Sequence, residues 1–269
     1  MDFEKRYYEQ VDLWDKNFHS IPAERERISK TIELIPPDVR TVLDVGCGNG
    51  AFLNVLPAKY QAVGLDSSEE ALKHVRTKAV HGDIAALPFD PESFDLVTCL
   101  EVLEHLSYEI YSKALSELER VSKKYIIISV PNSEDLDYHL VTCPACRCRY
   151  NPYRHVRGFS PETLRTLFSQ FELSELKEIG PLVPRPRYNK LLYTAYRSWM
   201  STPPPATAVC PQCGYQVPSN SSAQHIERET LGYHVSCLNS IKLAVKMIWR
   251  PRWGHRWLLA LYTRSRSKG

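Results

Sequence analysis

Three closely spaced glycines behind an acidic residue are the first residues that could do chemistry. The run Val42–Gly50 reads Val-Leu-Asp-Val-Gly-Cys-Gly-Asn-Gly, and Asp44 lies near the end of its apolar part. Glycine tolerates positive φ and lets backbone approach a ligand closely. A helix starting near Asn49 would add unpaired N–H groups. The pattern predicts a loop that binds a nucleotide-like ligand.

Two more acidic residues follow the loop at suitable spacing. Asp66 ends a second predicted strand about twenty residues on, where a carboxylate can accept hydrogen bonds from two ribose hydroxyls. Asp83 follows the next short element, before Leu87-Pro-Phe. The glycines are spaced Gly-x-Gly-x-Gly, whereas a dinucleotide-binding loop uses Gly-x-Gly-x-x-Gly. The spacing argues against a dinucleotide.

These stretches, together with residues 94–106, resemble the class I S-adenosylmethionine-dependent methyltransferases, in particular those that act on small molecules. The resemblance covers residues 40–131, and more loosely residues up to 179 and 257–263. It implies a Rossmann-like α/β fold with a seven-stranded, mostly parallel sheet, and S-adenosyl-L-methionine as cofactor. The cofactor contacts that it implies are Asp44, Gly46, Cys47, Gly48, Asp66, Ser67, Asp83, Ile84 and Leu100.

A Glu-x-x-Glu-His segment follows the next predicted strand, at the sheet edge where open α/β folds place their sites. His105 could deprotonate an acceptor hydroxyl, since an imidazole pKa of about 6.5 suits a general base. Alternatively, Glu101 serves the cofactor while Glu104 and His105 only cap or pack the next helix. A third interpretation follows certain catechol and RNA-end methyltransferases. By that resemblance, Glu101, Glu104 and His105, together with His139 or His155, would hold a divalent ion that binds a diol.

His155 opens a His-x-Arg-x-Phe-Ser run before a predicted helix that starts at Ser160-Pro161. Similar small-molecule methyltransferases carry such a run facing the acceptor. We therefore predict His105, Glu101 and His155 as catalytic residues. The alternative for His155 is a hydrogen bond to backbone near the helix start.

Two Cys-Pro-x-Cys units are the second chemical signal, with 63 residues between them. Two thiolates two residues apart can grip one Zn²⁺, and two such pairs complete a tetrahedral site. We predict a structural zinc held by Cys143, Cys146, Cys210 and Cys213, which clips two insertions together. Substitute ligands could come from Cys148, Cys237, His225 or His234. Cys47 and Cys99 are expected to be small buried residues.

Short apolar runs alternate with helical patterns around these residues, which predicts a parallel sheet with crossover helices. The predicted strands are Thr41–Val45, Ala62–Leu65, Phe94–Cys99, Tyr125–Val130, Phe171–Ile179 and Trp257–Thr263. The predicted helices are Glu69–Arg76, Tyr108–Val121 and Ser160–Ser169.

The same patterns divide the chain into four parts. Residues 1–40 are an expected N-terminal helical cap, and residues 41–180 are the core, with the first Cys pair in 132–158. Residues 181–256 are an insertion with the second pair, and 257–269 are the last strand and a tail.

Composition narrows the cellular setting. The formal net charge of +3 is too small to predict a nucleic-acid partner. No apolar run reaches the length of a membrane span, and no secretory signal begins the chain. We expect a cytoplasmic protein whose eight cysteines are free or bind metal. The segment Ser240–Trp257 mixes tryptophan with Lys and Arg, which is typical of a membrane surface or of a helix covering the sheet.

The sequence thus predicts an enzyme that methylates a small molecule, with O-methylation of a sugar, lipid precursor or secondary metabolite expected. A lipid-linked acceptor would fit a membrane-bound basic segment, and no nucleic-acid partner is expected. Two alternatives stay open. One is a divalent-metal-dependent diol O-methyltransferase, and the other is a non-catalytic zinc-module interaction protein on the same scaffold.

Overall fold

A computed structural model describes residues 7–15, 17–185, 204–205, 208–217 and 252–265. The chain divides into two compact units. The first contains residues 1–136, 154–182 and 255–269, and the second contains residues 137–153 and 183–254.

A seven-stranded sheet in the order β3-β2-β1-β4-β5-β9-β8 is the centre of the fold. Strands β1 to β5 pair in parallel, and β9 runs antiparallel to β5. This confirms the predicted Rossmann-like class. The strands are β1 Thr41–Val45, β2 Gln61–Asp66, β3 Lys78–His81, β4 Phe94–Leu100, β5 Ser122–Pro131, β8 Phe171–Arg185 and β9 Arg252–Arg264; a separate hairpin consists of β6 Val141–Thr142 and β7 Arg149–Tyr150.

Apolar side chains cover both faces of the central strands. One buried cluster includes Leu43, Val97 and Ile126, and another includes Val42, Leu96 and Ile127, so neighbouring residues of one strand serve opposite faces. Burial on both faces explains why these strands read as continuous apolar runs.

The helices are shorter than the sequence predicted, except for one. They are α1 Val11–Trp14, α2 Pro22–Glu33, α3 Glu69–Leu72, α4 Tyr108–Val121 and α5 Pro161–Leu164, with 3₁₀ turns at Phe18–Ser20, Leu53–Val55, Leu103–His105 and Leu136–His139. The α4 bounds match the prediction. The predicted helix Ser160–Ser169 is wrong beyond Leu164, although its capping box between Ser160 and Thr163 is present.

The expected helix near Asn49 is also wrong. Three glycines take positive φ there, and only the 3₁₀ turn Leu53–Val55 follows. Pro57 disfavours helical backbone at Leu56, and β2 already begins at Gln61. The chain between the loop and β2 is therefore too short and too constrained for a helix.

Two strand predictions were incomplete. Strand β3 was not predicted, because its four residues lie at the sheet edge, are half exposed and form no clear apolar run. Strand β9 begins at Arg252, so Trp253 belongs to a strand and not to a covering helix. The predictions for residues 240–251, His225, His234 and Cys237 lie outside the described residues. Among the described residues, no helix has the length and apolar character needed to cross a membrane.

Candidate functional site

The glycine loop, residues 46–50, leaves the carboxyl end of β1 with left-handed backbone at its three glycines. Their φ values are +74° at Gly46, +52° at Gly48 and +76° at Gly50. A Cβ at Gly46 would lie 2.4 Å from a methyl of Val102. The loop therefore needs glycine for its conformation and for its contact with the segment after β4.

Asp66 fixes the glycine loop from the end of the neighbouring strand. Its carboxylate accepts hydrogen bonds from the N–H of Gly48 at 2.8 Å and of Ser68 at 2.9 Å. Burial raises the pKa of this carboxyl, against the lowering effect of the N–H groups. The side chain thus holds the loop in place while it also lines the adjoining cavity.

That cavity has a volume of about 550 Å³ and opens at the carboxyl ends of the strands, a size within the usual range for small-molecule sites. Of the predicted site residues, it is lined by Gly46, Asp66, Ser67, Asp83, Ile84, Glu101 and His105. Those outside its lining are Asp44, Cys47, Gly48, Leu100 and His155. The structure thus brings together predicted site residues from the carboxyl ends of four strands, β1, β2, β3 and β4.

The N-terminal segment completes the cavity, which the sequence did not predict. Tyr7, Tyr8, Trp14 and Phe18 all line it. The segment is tied down by hydrogen bonds from the Ser68 hydroxyl to the Tyr8 carbonyl and from the Asn49 amide to the Trp14 carbonyl. The aromatic residues of this segment were the available signal, but the sequence does not show that they pack against the cavity.

Asp44 lies beneath the cavity and is almost fully buried. Burial raises its pKa to about 7, although the Thr98 hydroxyl donates to it at 2.6 Å and lowers the pKa. The nearby Asp66 charge adds to the rise.

Glu101 directly follows β4 and lines the cavity with an unusual backbone conformation. Its φ is +57°, which is uncommon for a residue other than glycine and suggests a functional constraint. Its carboxylate accepts from the Ser129 hydroxyl at 2.5 Å. Burial raises the pKa of Glu101, and the buried Arg27 of α2 opposes the rise.

Both Cys47 and Cys99 are buried, as expected.

Glu104, His105 and His155 form a cluster beside the cavity. Their ligand atoms lie within 4.8 Å of one another. Glu104 is fully buried, and neither of its carboxylate oxygens has a hydrogen-bond partner among the described residues. Burial raises the pKa of Glu104 strongly, and the Glu101 charge adds to this effect. For His105, burial and then His155 lower the pKa to about 3, so its ring is neutral at physiological pH.

Glu134 was missed in the sequence, although it contacts a predicted catalytic residue. Its carboxylate lies 2.5 Å from Nδ1 of His155, and the His155 ring lies 4.8 Å from the His105 ring. The two chain segments are also joined by the N–H of Val156, which donates to the Glu104 carbonyl. A pairing across 21 residues of irregular chain leaves no periodic signal in a sequence.

The second unit holds the four predicted thiols together. Their sulfur atoms lie within 4.8 Å of one another, with 3.6 Å between Cys143 and Cys213 and 3.6 Å between Cys146 and Cys210. Tetrahedral zinc with bonds of about 2.3 Å requires sulfur atoms about 3.8 Å apart. The thiols therefore fit one zinc ion.

Both Cys pairs have the same backbone geometry. In the first knuckle, Cys143–Cys148, the N–H of Cys143 donates to Cys148 O and that of Arg147 to Cys143 O. In the second knuckle, Cys210–Tyr215, the N–H of Cys210 donates to Tyr215 O and that of Gly214 to Cys210 O. The fifth residue has positive φ in both, 64° and 71°. The repeated geometry supports a common role as metal-binding turns.

Burial raises the pKa of the Cys210 thiol, but N–H groups of Cys213 and Gln212 and the Cys148 thiol outweigh it and bring the pKa to about 6. A thiol that ionises readily suits zinc, which binds thiolate. The Cys148 sulfur lies 3.2 Å from that of Cys210, so it stands next to the four as a fifth thiol.

Comparison with known proteins agrees with the fold and the loop. Residues 43–128 match a family model described as a methyltransferase domain. A crystal structure of an S-adenosylmethionine-dependent methyltransferase from Thermotoga maritima has a TM-score of 0.52 at 17% identity, over 98% of this chain and 99% of that one. Residues 43–128 thus match a methyltransferase domain, and the chain has the fold of this S-adenosylmethionine-dependent methyltransferase.

Curated relatives differ in the acceptor that their names state. A tRNA (carboxymethyluridine(34)-5-O)-methyltransferase of Arabidopsis thaliana is 32% identical over 149 residues, 52% of this chain and 36% of that protein. A ubiquinone biosynthesis O-methyltransferase of Neisseria meningitidis is 32% identical over 80 residues, 25% of this chain and 34% of that protein. The chain thus spans about a third of the length of these relatives.

Proposed function

We propose that this chain transfers the methyl group of S-adenosyl-L-methionine to an oxygen atom of a small-molecule acceptor. The observation that carries the proposal is the cavity, in which the glycine loop, Asp66, Asp83 and Glu101 meet beside a paired histidine. The O-methylating relative from Neisseria supports the choice of an oxygen acceptor. A sugar, a lipid precursor or a secondary metabolite fits a cavity of this size.

The cavity residues fit the cofactor by the chemistry of their groups. Asp66 retains lone pairs for two ribose hydroxyls after it has bonded the loop, and Asp83 and Ile84 would flank the adenine. The cofactor, when bound, supplies an electrophilic methyl group on a sulfonium. The protein's contribution is to align the acceptor oxygen with that methyl and to exclude water.

His155 is the stronger of the two candidate bases. With Glu134 next to Nδ1, that nitrogen carries the proton and donates it, so Nε2 is the nitrogen that takes a proton from an acceptor hydroxyl. The low pKa of His105 makes its ring a weak proton acceptor. We assign His155 as the base, Glu134 as its positioning residue and Glu101 to the cofactor end of the cavity.

Calorimetric titration with S-adenosylmethionine tests the foundation of this proposal, and a titration without heat or saturation would contradict it. A second assay follows S-adenosylhomocysteine release with phenols, diols, sugars and total tRNA as acceptors. We expect turnover with a small molecule. Turnover with tRNA alone would replace the small-molecule acceptor by RNA, as the Arabidopsis relative's name states for that protein.

Glu134→Gln should lower kcat by about tenfold to a thousandfold, the range set by loss of an oriented base, and leave cofactor affinity unchanged. His155→Asn should lower kcat at least as much. Glu162→Gln, an exposed change after the same loop, is the matched control. Unchanged kcat in Glu134→Gln would remove the positioning role.

A second candidate function rests on the orphaned carboxylate of Glu104. A buried carboxylate without hydrogen bonds is costly unless a cation lies beside it. Glu104 and two imidazoles within 4.8 Å offer a set that suits a divalent ion. Glu134 behind His155 resembles the carboxylate that commonly orients a ligating histidine. The set contains Glu104, His105 and His155 of our sequence hypothesis but not Glu101, and the alternative ligand His139 lies in the second unit.

Metal dependence separates the two candidates. Chelation that removes magnesium or manganese but retains zinc should abolish turnover of a diol if the second candidate is right, and added magnesium should restore it. Glu104→Gln should then eliminate the manganese signal in paramagnetic resonance titrations. Full turnover after chelation would leave His155 as a simple base.

We further propose that the second unit holds one structural zinc at Cys143, Cys146, Cys210 and Cys213. The sulfur spacing and the two equivalent knuckles support this assignment. The zinc would then stabilise the fold of the second unit. If the chain is instead a non-catalytic protein, it should bind the cofactor but methylate no acceptor, including lipid-linked acceptors presented on vesicles.

A further inference from the structure

Arg157 carries a positive charge for which the described part of the chain provides no acidic partner. Its guanidinium carbon lies 3.6 Å from the centre of the Tyr111 ring and 4.6 Å from that of Tyr108. Its Nε and Nη2 atoms are buried and have no hydrogen-bond partner among the described residues. Two aromatic faces thus hold a cation whose Nε and Nη2 donors remain unsatisfied.

Such an arrangement favours binding of an anion. Arginine stays protonated at all physiological pH values, and stacking on rings stabilises it less than a charge-assisted hydrogen bond. Unpaired donors in a partly buried guanidinium cost free energy until an acceptor reaches them. The stack also fixes the plane of the guanidinium, which prepares it for the paired oxygens of a carboxylate or phosphate.

The two tyrosines that stack on Arg157 place it next to residues that line the cavity. Tyr108 and Tyr111 each follow directly a residue that lines the cavity, Ser107 and Ile110. Arg157 itself is two residues after His155. Tyr108 is 76% exposed, so this side of the stack lies at the protein surface.

The first turn of α4 presents N–H groups at the same place, and Glu109 is the acidic residue of that turn. This 14-residue helix begins at Tyr108, and Ser107 makes no side-chain cap. Its first N–H groups and its dipole favour negative charge. The helix end alone would not define a site, but here it lies beside an unpartnered guanidinium.

We propose that the methyl acceptor carries an acidic group, a carboxylate or a phosphate, and that Arg157 binds this group beside the cavity. The inference rests on the proposed function for the meaning of the word acceptor, but the anion site itself can be tested without turnover. In this arrangement, Arg157 would anchor one end of the acceptor and leave the other end for His155.

The direct test follows the Arg157 Nε–H signal in ¹⁵N–¹H spectra of the full chain saturated with S-adenosylhomocysteine. Arg157→Lys identifies the signal by its loss. Benzoate and inorganic phosphate are then added separately. We expect a saturable shift of this signal with at least one of them, and the stronger response decides between carboxylate and phosphate. No shift with either anion, or a shift equal to that of exposed Arg165, would overturn the proposal.

A matched pair of acceptors provides the second measurement. We expect 3,4-dihydroxybenzoate to bind the S-adenosylhomocysteine complex about tenfold to a hundredfold more tightly than its methyl ester, the range of a charge-assisted hydrogen bond. Arg157→Gln should remove this preference, Arg157→Lys should keep part of it, and Arg165→Gln should leave it unchanged. Equal binding of acid and ester by the natural chain would contradict the inference.

The two proposals fail in different ways. If the chain does not bind the cofactor, the methyltransferase function is wrong. The Arg157 signal of the ligand-free chain would still report whether anions bind. A normal cofactor titration with an unresponsive Arg157 signal would remove only the acidic acceptor. Retained S-adenosylhomocysteine binding in Arg157→Gln shows that the variant is folded.

Discussion

The buried carboxyl of Asp44 shows how the site depends on single residues. Burial raises its pKa to about 7, so the folded, ligand-free protein holds a proton that an unfolded aspartate releases near pH 4. This contribution to stability is complete below the unfolded pKa and is lost as the pH rises through about 7. The carboxylates of Glu101 and Glu104 act in the same direction, because their pKa values are also raised.

We therefore predict that the free energy of unfolding of the ligand-free protein falls between about pH 4 and pH 7. In Asp44→Asn the fall should be shallower, by up to a few kcal/mol across the range. Urea denaturation of both proteins at several pH values measures the difference. Parallel curves for the two proteins would show that Asp44 has an ordinary pKa.

At the level of single residues, the sequence predicted the parts of the site that depend on local pattern. Gly46 and Asp66 line the cavity at the ends of β1 and β2, whose apolar runs mark those strand ends. Asp83 also lines the cavity, but it follows β3, which has no clear apolar run. The pairing of Glu134 with His155 depends on how two irregular segments pack, which no spacing rule describes. The same holds for the stack of Arg157 on two tyrosines.

Among the elements, the N-terminal segment and the glycine loop form one functional surface. A Cβ at Gly48 would lie 2.8 Å from the Trp14 ring, and the φ of +52° disfavours any side chain there. The sequence located the loop and the β1 strand correctly because both carry strong local signals. It missed the broken course of residues 7–33, where Asn17 caps a 3₁₀ turn and Pro22 starts a new helix.

This contact predicts a testable coupling. Gly48→Ala should weaken S-adenosylmethionine binding by about tenfold or more, since left-handed backbone costs an alanine roughly 1–2 kcal/mol and its Cβ displaces Trp14. Trp14→Ala should weaken binding less. The double variant should bind S-adenosylmethionine more tightly than the summed losses of the two single variants predict. Removing the Trp14 ring removes its clash with the alanine Cβ, while the backbone strain at position 48 remains. Strict additivity in calorimetry would mean that the ring does not contact the loop in solution.

For the whole molecule, the two units separate the predicted metal from the predicted cofactor. All four thiols belong to the second unit, and all residues that line the cavity belong to the first. Their roles can therefore be tested independently. The spacing of the Cys pairs could be predicted from the sequence. That the sulfur of Cys148 lies close to that of Cys210 is seen only in the structure.

We predict one zinc per chain by elemental analysis and its loss in Cys143→Ser. That variant should be digested by protease within the second unit, because a structural zinc site stabilises its surroundings strongly. Cofactor binding by the first unit should persist. Cys148→Ser is the matched control and should keep its zinc, and equal zinc loss in both variants would show that Cys148 is a ligand.

Strand β9 has a consequence for the order in which the molecule can be assembled. It comes after every other described strand in the chain, yet it lies between β5 and β8. During synthesis, the parallel half of the sheet and both Cys pairs leave the ribosome before residues 252–264 exist. Until then β5 has an open edge of buried, apolar residues, which is a surface prone to aggregation. A nascent chain arrested before β9 should therefore bind chaperones, and release of the last strand should end that dependence.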